Sequence, residues 1–142
     1  MQEARPETRV LVADDDHVIA MTLAQILRLH GYETETVNSG EAAVAAAQAC
    51  SPDVLISDVV MGGMTGIEAA TRIAEINPGC VVILISGQAH TTDLQSRQRK
   101  GREPFEILLK PIHPGALLER ITASIAMRRP VKVLAERRAA SC

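Results

Sequence analysis

Four short runs of branched apolar residues recur along the chain, and each gives way abruptly to a polar residue. They are Val10-Leu11-Val12-Ala13 before Asp14, Val54-Leu55-Ile56-Ser57 before Asp58, Val81-Val82-Ile83-Leu84-Ile85 before Ser86, and Ile107-Leu108-Leu109 before Lys110. Runs of this length are strand-sized, and strands that are apolar on both faces need a covering layer on each side, as in a buried parallel sheet. The segment Tyr32-Glu33-Thr34-Glu35-Thr36-Val37 alternates instead and reads as a fifth strand nearer an edge.

Helical periodicity fills the intervals. From Val18 to His30, Ile19, Leu23, Ile26 and Leu27 fall on one stripe and Gly31 supplies a stop. An Ala-rich stretch from Glu41 to Cys50 follows Asn38-Ser39-Gly40, and Thr65-Gly66-Ile67-Glu68 is a capping-box sequence that opens a third helix. A last helix follows Pro114, with Leu117, Leu118, Ile121 and Ile125 on one stripe and Arg128-Arg129-Pro130 closing it. The stretch Thr91 to Arg102 is different: Leu94 is its only large apolar side chain, and it carries Arg97, Arg99, Lys100 and Arg102. Such a helix is either solvated or faces a partner. The order is a strand–helix unit repeated five times.

Aromatic residues are 1% of the chain and hydrophobic residues 46%, so a core must be assembled from Val, Ile, Leu, Met and Ala. The 142 residues suit one domain, expected over residues 8–127, with a disordered N-terminus at 1–7 and a basic tail at 128–142. A net charge of -2 excludes a global field that would draw the chain to nucleic acid or to an anionic membrane. The tail, with five basic residues and one glutamate, reads as solvated and is too short for a helix-turn-helix, so no direct DNA binding is expected. The start MQEARPETR lacks the apolar core of a signal peptide, and no apolar run approaches the roughly 20 residues of a membrane span. Three cysteines without CxxC spacing fit a reducing compartment better than a disulfide or zinc framework. A cytoplasmic protein without membrane association is the expectation.

In an open parallel sheet, ligands bind beyond the carboxyl ends of the strands, where the winding reverses. Asp14, Asp15 and Asp16 follow the first strand, Asp58 the third, Ser86 ends the fourth and Lys110 the fifth. Carboxylates gathered at one edge repel one another, and a hard divalent cation relieves the conflict. Magnesium fits such a site because it uses one or two carboxylates, keeps waters and completes its shell with phosphate oxygen. Asp58 would then be a carboxylate nucleophile toward phosphorus, Lys110 a fixed positive charge for phosphoryl oxygens and Ser86 a hydrogen-bond donor to one of them. Gly87 leaves room for the incoming group.

The segments V-L-V-A-D-D-D, P-D-V-L-I-S-D-V-V-M, V-I-L-I-S-G and L-L-K-P resemble the four signature segments of bacterial response-regulator receiver domains, over about residues 8 to 127. The resemblance implies a flavodoxin-like (βα)5 fold, a doubly wound parallel five-stranded sheet of order 2-1-3-4-5. It implies Asp58 as phosphoacceptor, Asp14 and Asp15 as the acidic pair for magnesium, and the Val60 main-chain carbonyl as a further ligand. Asp16 is left as a helix starter, Ser86 becomes the switch hydroxyl, and Lys110 the phosphate-sensing lysine before a bond to Pro111 that is often cis. It also implies a signalling switch in a two-component or phosphorelay pathway rather than an enzyme, one that assists its own phosphorylation and dephosphorylation. The phosphoryl donor would be a histidine kinase or a phosphotransfer protein and the output contact with an unknown downstream protein; a homodimer is left open.

The chain also departs from the family pattern. Where the family commonly has M-P-x-M-D-G after the acceptor, this chain reads Met61-Gly62-Gly63-Met64-Thr65-Gly66, a loop without its proline and so expected to be more flexible. Where the family usually has Tyr or Phe three residues before the lysine, this chain has Ile107; Phe105 lies two residues further back. Two other readings are a degenerate, non-phosphorylated receiver and a haloacid-dehalogenase-type phosphatase with Asp14 as nucleophile. The latter rests on Asp14-Asp15-Asp16-His17-Val18-Ile19 alone, and beyond Lys110 only Glu119 and Glu136 are available for its later acidic pair. His17, His30, His90 and His113 show no ligand spacing.

Overall fold

The computed structural model describes residues 8–87 and 105–127. The expectations for residues 1–7, for the stretch Thr91 to Arg102 and for the tail at 128–142 lie outside the described residues. The elements run β1 (Arg9–Ala13), α1 (His17–Leu29), β2 (Glu33–Val37), α2 (Gly40–Ala49), β3 (Val54–Asp58), α3 (Gly66–Ile76), β4 (Val81–Ser86), β5 (Glu106–Leu109) and α4 (Pro114–Met127). All paired strands are parallel, and their order in the sheet is β2-β1-β3-β4-β5. The doubly wound order expected for the chain is the one observed.

The period of two along each strand divides the core between the two faces of the sheet. Val10, Val12, Val54, Ile56, Ile83 and Ile85 face α1 and α4, where they meet Ala20, Leu23, Leu27, Leu117 and Ile121. Leu11, Ala13, Leu55 and Leu84 face the other way and pack with Ala43, Ala47, Ala70 and Ile73 of α2 and α3. Fully buried Leu and Ile side chains of this kind each contribute roughly 1.5–3 kcal/mol, so the two half-cores, rather than helix propensity, hold the layers together. β2 is exposed at Glu33 and Glu35 and lies at the sheet edge, as its alternation requires.

Local chemistry sets the element ends. Asp16 caps α1 by accepting from the Val18 and Ile19 N–H groups. At the other end Gly31 takes φ +92°, its N–H donates to the Arg28 carbonyl, and the Tyr32 N–H reaches back to the Leu27 carbonyl. This pair of bonds makes a Schellman ending, which needs the left-handed conformation that glycine adopts without penalty. Thr65 and Glu68 form both halves of the capping box on α3. In α4, Leu117 and Ile121 are buried while Leu118 and Ile125 are partly so, the stripe read from the sequence. Ile107 and Phe105, two residues apart, lie on the same side of the sheet toward α2 and α3, with Phe105 only 7% exposed. The aromatic ring therefore belongs to the core and lies before the start of β5, away from the carboxyl end that carries Lys110.

Candidate phosphoacceptor site

Each of the candidate site residues stands at or just beyond the carboxyl end of a strand, and neighbouring strands hold its backbone there. The Asp14 N–H donates to the Val37 carbonyl at 3.1 Å, and the Asn38 side-chain amide donates to the Asp14 carbonyl at 2.9 Å. Asp58 is the last residue of β3, opposite Ile85. Just beyond it the Val59 N–H donates to the Ile85 carbonyl, and the Gly66 N–H donates to the Val59 carbonyl, both at 2.8 Å. Gly66 comes so close that a Cβ built on it would lie 2.1 Å from the Asp58 carbonyl oxygen. Only glycine can start α3 at that separation.

The side chains then converge. One carboxylate oxygen from each of Asp14, Asp15 and Asp58 lies within 4.8 Å of the others. The Lys110 ammonium is 3.3 Å from Asp58 Oδ2, where it donates a hydrogen bond, and 3.9 Å from Asp14 Oδ2. The closer pair is the stronger one, and Asp58 is the principal partner of the lysine. Asp14 and Asp58 are buried, at 2% and 8% exposure, while Asp15 is exposed. Asp14 Oδ1 also accepts from the Asp16 N–H at 2.9 Å.

Burial pushes the Asp14 carboxyl above its usual value, with the charges of Asp58 and Asp15 adding to the effect; the Asp16 N–H and Lys110 act in the opposite direction. Among the described residues a single ammonium faces the three carboxylates, so this donor set retains an excess of negative charge. Hard oxygen donors with uncompensated charge, open on the Asp15 side, fit a small divalent cation.

Ser86 is completely buried at the end of β4, and the Lys110 N–H donates to its carbonyl at 2.9 Å. A Cβ on Gly87 would lie 3.7 Å from Lys110 Cδ, an ordinary contact distance, so the backbone at Gly87 runs beside the lysine side chain. The Lys110-Pro111 bond is cis. Val60 stands two residues beyond Asp58, with a side chain 52% exposed. His17 and His113 are exposed. Two contributors were not read from the sequence: Asn38, which braces Asp14, and Glu41, whose carboxylate accepts from the Met64 N–H at 3.1 Å. Both act on residues more than twenty positions away, and short-range spacing carries no trace of such contacts.

The family model of the response regulator receiver domain matches residues 10–122. The chain belongs to the response-regulator receiver family. As a receiver it is a module of two-component signalling, and that membership removes the ground for the phosphatase reading of Asp14. It is 28% identical over 117 residues to the DNA-binding response regulator MtrA of Mycolicibacterium paratuberculosis, covering 82% of this chain and 51% of that protein. It is 30% identical to a cyclic di-GMP phosphodiesterase of Thermotoga maritima, over 84% of this chain and 31% of that protein. Among solved structures, Vibrio cholerae chemotaxis protein CheY4 superposes with a TM-score of 0.73 at 29% identity, covering 82% of this receiver and 98% of that chain. The receiver thus spans about half the length of MtrA and about a third of the phosphodiesterase. No helix among the described residues is long and apolar enough to cross a membrane.

Proposed function

We propose that this receiver accepts a phosphoryl group on Asp58 from the phosphohistidine of a histidine kinase or phosphotransfer protein, with magnesium held by Asp14, Asp15, Asp58 and the Val60 carbonyl. The observation that carries the reading is the convergence of three carboxylates on one point with the Lys110 ammonium 3.3 Å from Asp58. An Asp58 carboxylate oxygen attacks phosphorus, the P–N bond breaks, and its electron pair stays with the imidazole of the donor. When bound, magnesium supplies positive charge against the phosphoryl oxygens. Lys110 offers its ammonium to the transferred group, and Ser86, at the end of the neighbouring strand β4, offers its hydroxyl. Asp14 and Asp15 take no part in bond making; they retain the cation.

Because the chemistry is one transfer to the protein itself, the product is a signalling state and not a released compound. The output is contact with a further protein. We place the receiver in the cytoplasm and assign it no DNA contact of its own; the DNA-binding name belongs to a relative about twice as long. Intact mass after incubation with acetyl phosphate and magnesium tests the reading. One phosphoryl group, about 80 Da, is expected on the native chain and none on Asp58→Asn. Equal labelling of both would move the acceptor elsewhere, and no labelling of the native chain would leave a degenerate receiver.

A further inference from the structure

The loop between β3 and α3 begins at Val59 and runs through Gly62 and Gly63, residues that leave a backbone its widest conformational range. Both ends of this loop are secured. Met61 is 5% exposed in the half-core facing α2 and α3, and the Gly66 N–H is bound to the Val59 carbonyl. The middle is held from outside. Among the described residues, the one hydrogen bond that reaches the backbone of Gly62, Gly63 or Met64 is donated by the Met64 N–H to Glu41 Oε2, 23 residues away in the first turn of α2.

The surroundings of this bond are closely fitted. Gly63 has φ +78°, and a Cβ on it would lie 3.0 Å from the same Glu41 oxygen. Gly40, beside Glu41, faces Met64, where an added Cβ would lie 2.8 Å from the Met64 carbonyl oxygen. Two glycines thus let α2 and the loop approach until the carboxylate can accept the amide. Glu41 is not one of the carboxylates gathered around Asp58.

We propose that Glu41 is a positioning residue for the phosphorylation site: its bond to Met64 fixes the loop that presents the Val60 carbonyl. The magnesium affinity of the site then depends on a side chain that never meets the metal. The inference rests on the phosphoacceptor reading above. The sequence of the loop, with no proline and two adjacent glycines, leads to the expectation of slack. The ordering that a proline would build into the chain is supplied here by a carboxylate from the neighbouring helix, through a charge-assisted hydrogen bond. Without it the loop must give up conformational freedom each time the carbonyl is presented to a cation.

Magnesium titration of the amide spectrum of the full chain, together with the rate of phosphorylation by acetyl phosphate at each magnesium concentration, tests this. Glu41→Ala is expected to raise the apparent magnesium Kd about three- to tenfold, the effect of losing one such bond. The phosphorylation rate at saturating magnesium should stay within about twofold of native, since the bond acts on metal retention. Glu41→Gln keeps an acceptor of the same reach and should restore binding to near the native value. Glu41→Asp keeps the negative charge at the start of α2 but is one methylene shorter, and should behave like Glu41→Ala. Equal Kd values for Glu41→Ala and native would overturn the proposal. So would a Glu41→Asp that binds as well as native, because then only the charge at the helix start matters. A native chain that does not respond to magnesium at all would instead refute the metal-dependent phosphoacceptor reading itself.

Discussion

The Lys110 N–H is hydrogen-bonded to the Ser86 carbonyl, so the two residues assigned to read the phosphoryl group are joined at the carboxyl ends of β4 and β5. Neither backbone can shift without carrying the other. The Lys110 side chain, in contrast, crosses to Asp58 and touches Asp14 at longer range. Backbone and side chain of one residue therefore link the fourth strand to the first and the third.

Lys110→Ala is expected to preserve the fold, because the side chain is 29% exposed and its ion pair with Asp58 is partly open to solvent. Asp58 is itself largely buried, so losing its ammonium partner should lower stability by more than the roughly 1 kcal/mol of an exposed pair without preventing folding. Acetyl phosphate should still label Asp58, since the lysine makes no bond in the transfer. The spread of amide-shift changes caused by labelling should shrink. A spectrum of the phosphorylated variant that changes as widely as the native one would remove Lys110 from the switch.

The raised Asp14 carboxyl gives a pH dependence with a definite sign. Its pKa in the fold lies above the usual 3.8, so the folded chain keeps a proton there that the unfolded chain releases. The associated stability is present below that usual value and is lost as pH rises through the folded value. In chelator, the native chain should therefore lose stability relative to Asp14→Asn as pH is raised from about 4. The variant should melt higher at neutral pH, and magnesium should stabilise only the native chain appreciably. Parallel melting curves of the two proteins across pH would contradict this.

Gly66→Ala places a methyl group 2.1 Å from the Asp58 carbonyl oxygen, with backbone rather than a movable side chain in the way. Alanine's better helix propensity recovers about 1 kcal/mol at most, whereas forcing atoms into a filled site typically costs about 1–3 kcal/mol, and an approach of 2.1 Å to backbone puts this site at or above the upper end. Urea unfolding should show a net loss of at least about 2 kcal/mol. Thr65→Ala, which removes only the cap bond to the Glu68 N–H, should cost about 1 kcal/mol. Similar losses for the two variants would mean that the α3 start is free to retreat from Asp58.

Much of this architecture is legible in the sequence. β1, β3 and β4 announce themselves because burial on both faces keeps their runs apolar close to the strand ends, whereas the Ile107-Leu108-Leu109 run, expected to be buried in the same way, forms an edge strand that is only partly covered, with Leu109 exposed. The residues that break the runs, Asp14, Asp58, Ser86 and Lys110, stand at the carboxyl ends of the strands. Caps are equally readable, since Asp16 and Thr65 act on amides two or three residues away. The brace from Asn38 to Asp14 and the grip of Glu41 on Met64 are not, because they join residues brought together only by the winding of the chain. Ile107 illustrates the intermediate case. Its substitution for an aromatic is visible in the sequence, but that Phe105 shares its side of the sheet and is consumed by the core takes the packing to show.

Val59 is bound through its N–H to β4 and through its carbonyl to the start of α3, immediately beside the acceptor. Under the proposed phosphorylation Asp58 would rest on an anvil: the residue that follows it is tied to a strand and a helix, which resists recoil of the backbone when a bulky dianion is attached to the side chain. The movement that the proposed phosphorylation would cause is then expected on the hammer side, with the Lys110 side chain and Ser86, so that work delivered at Asp58 would be sent in one direction across the sheet.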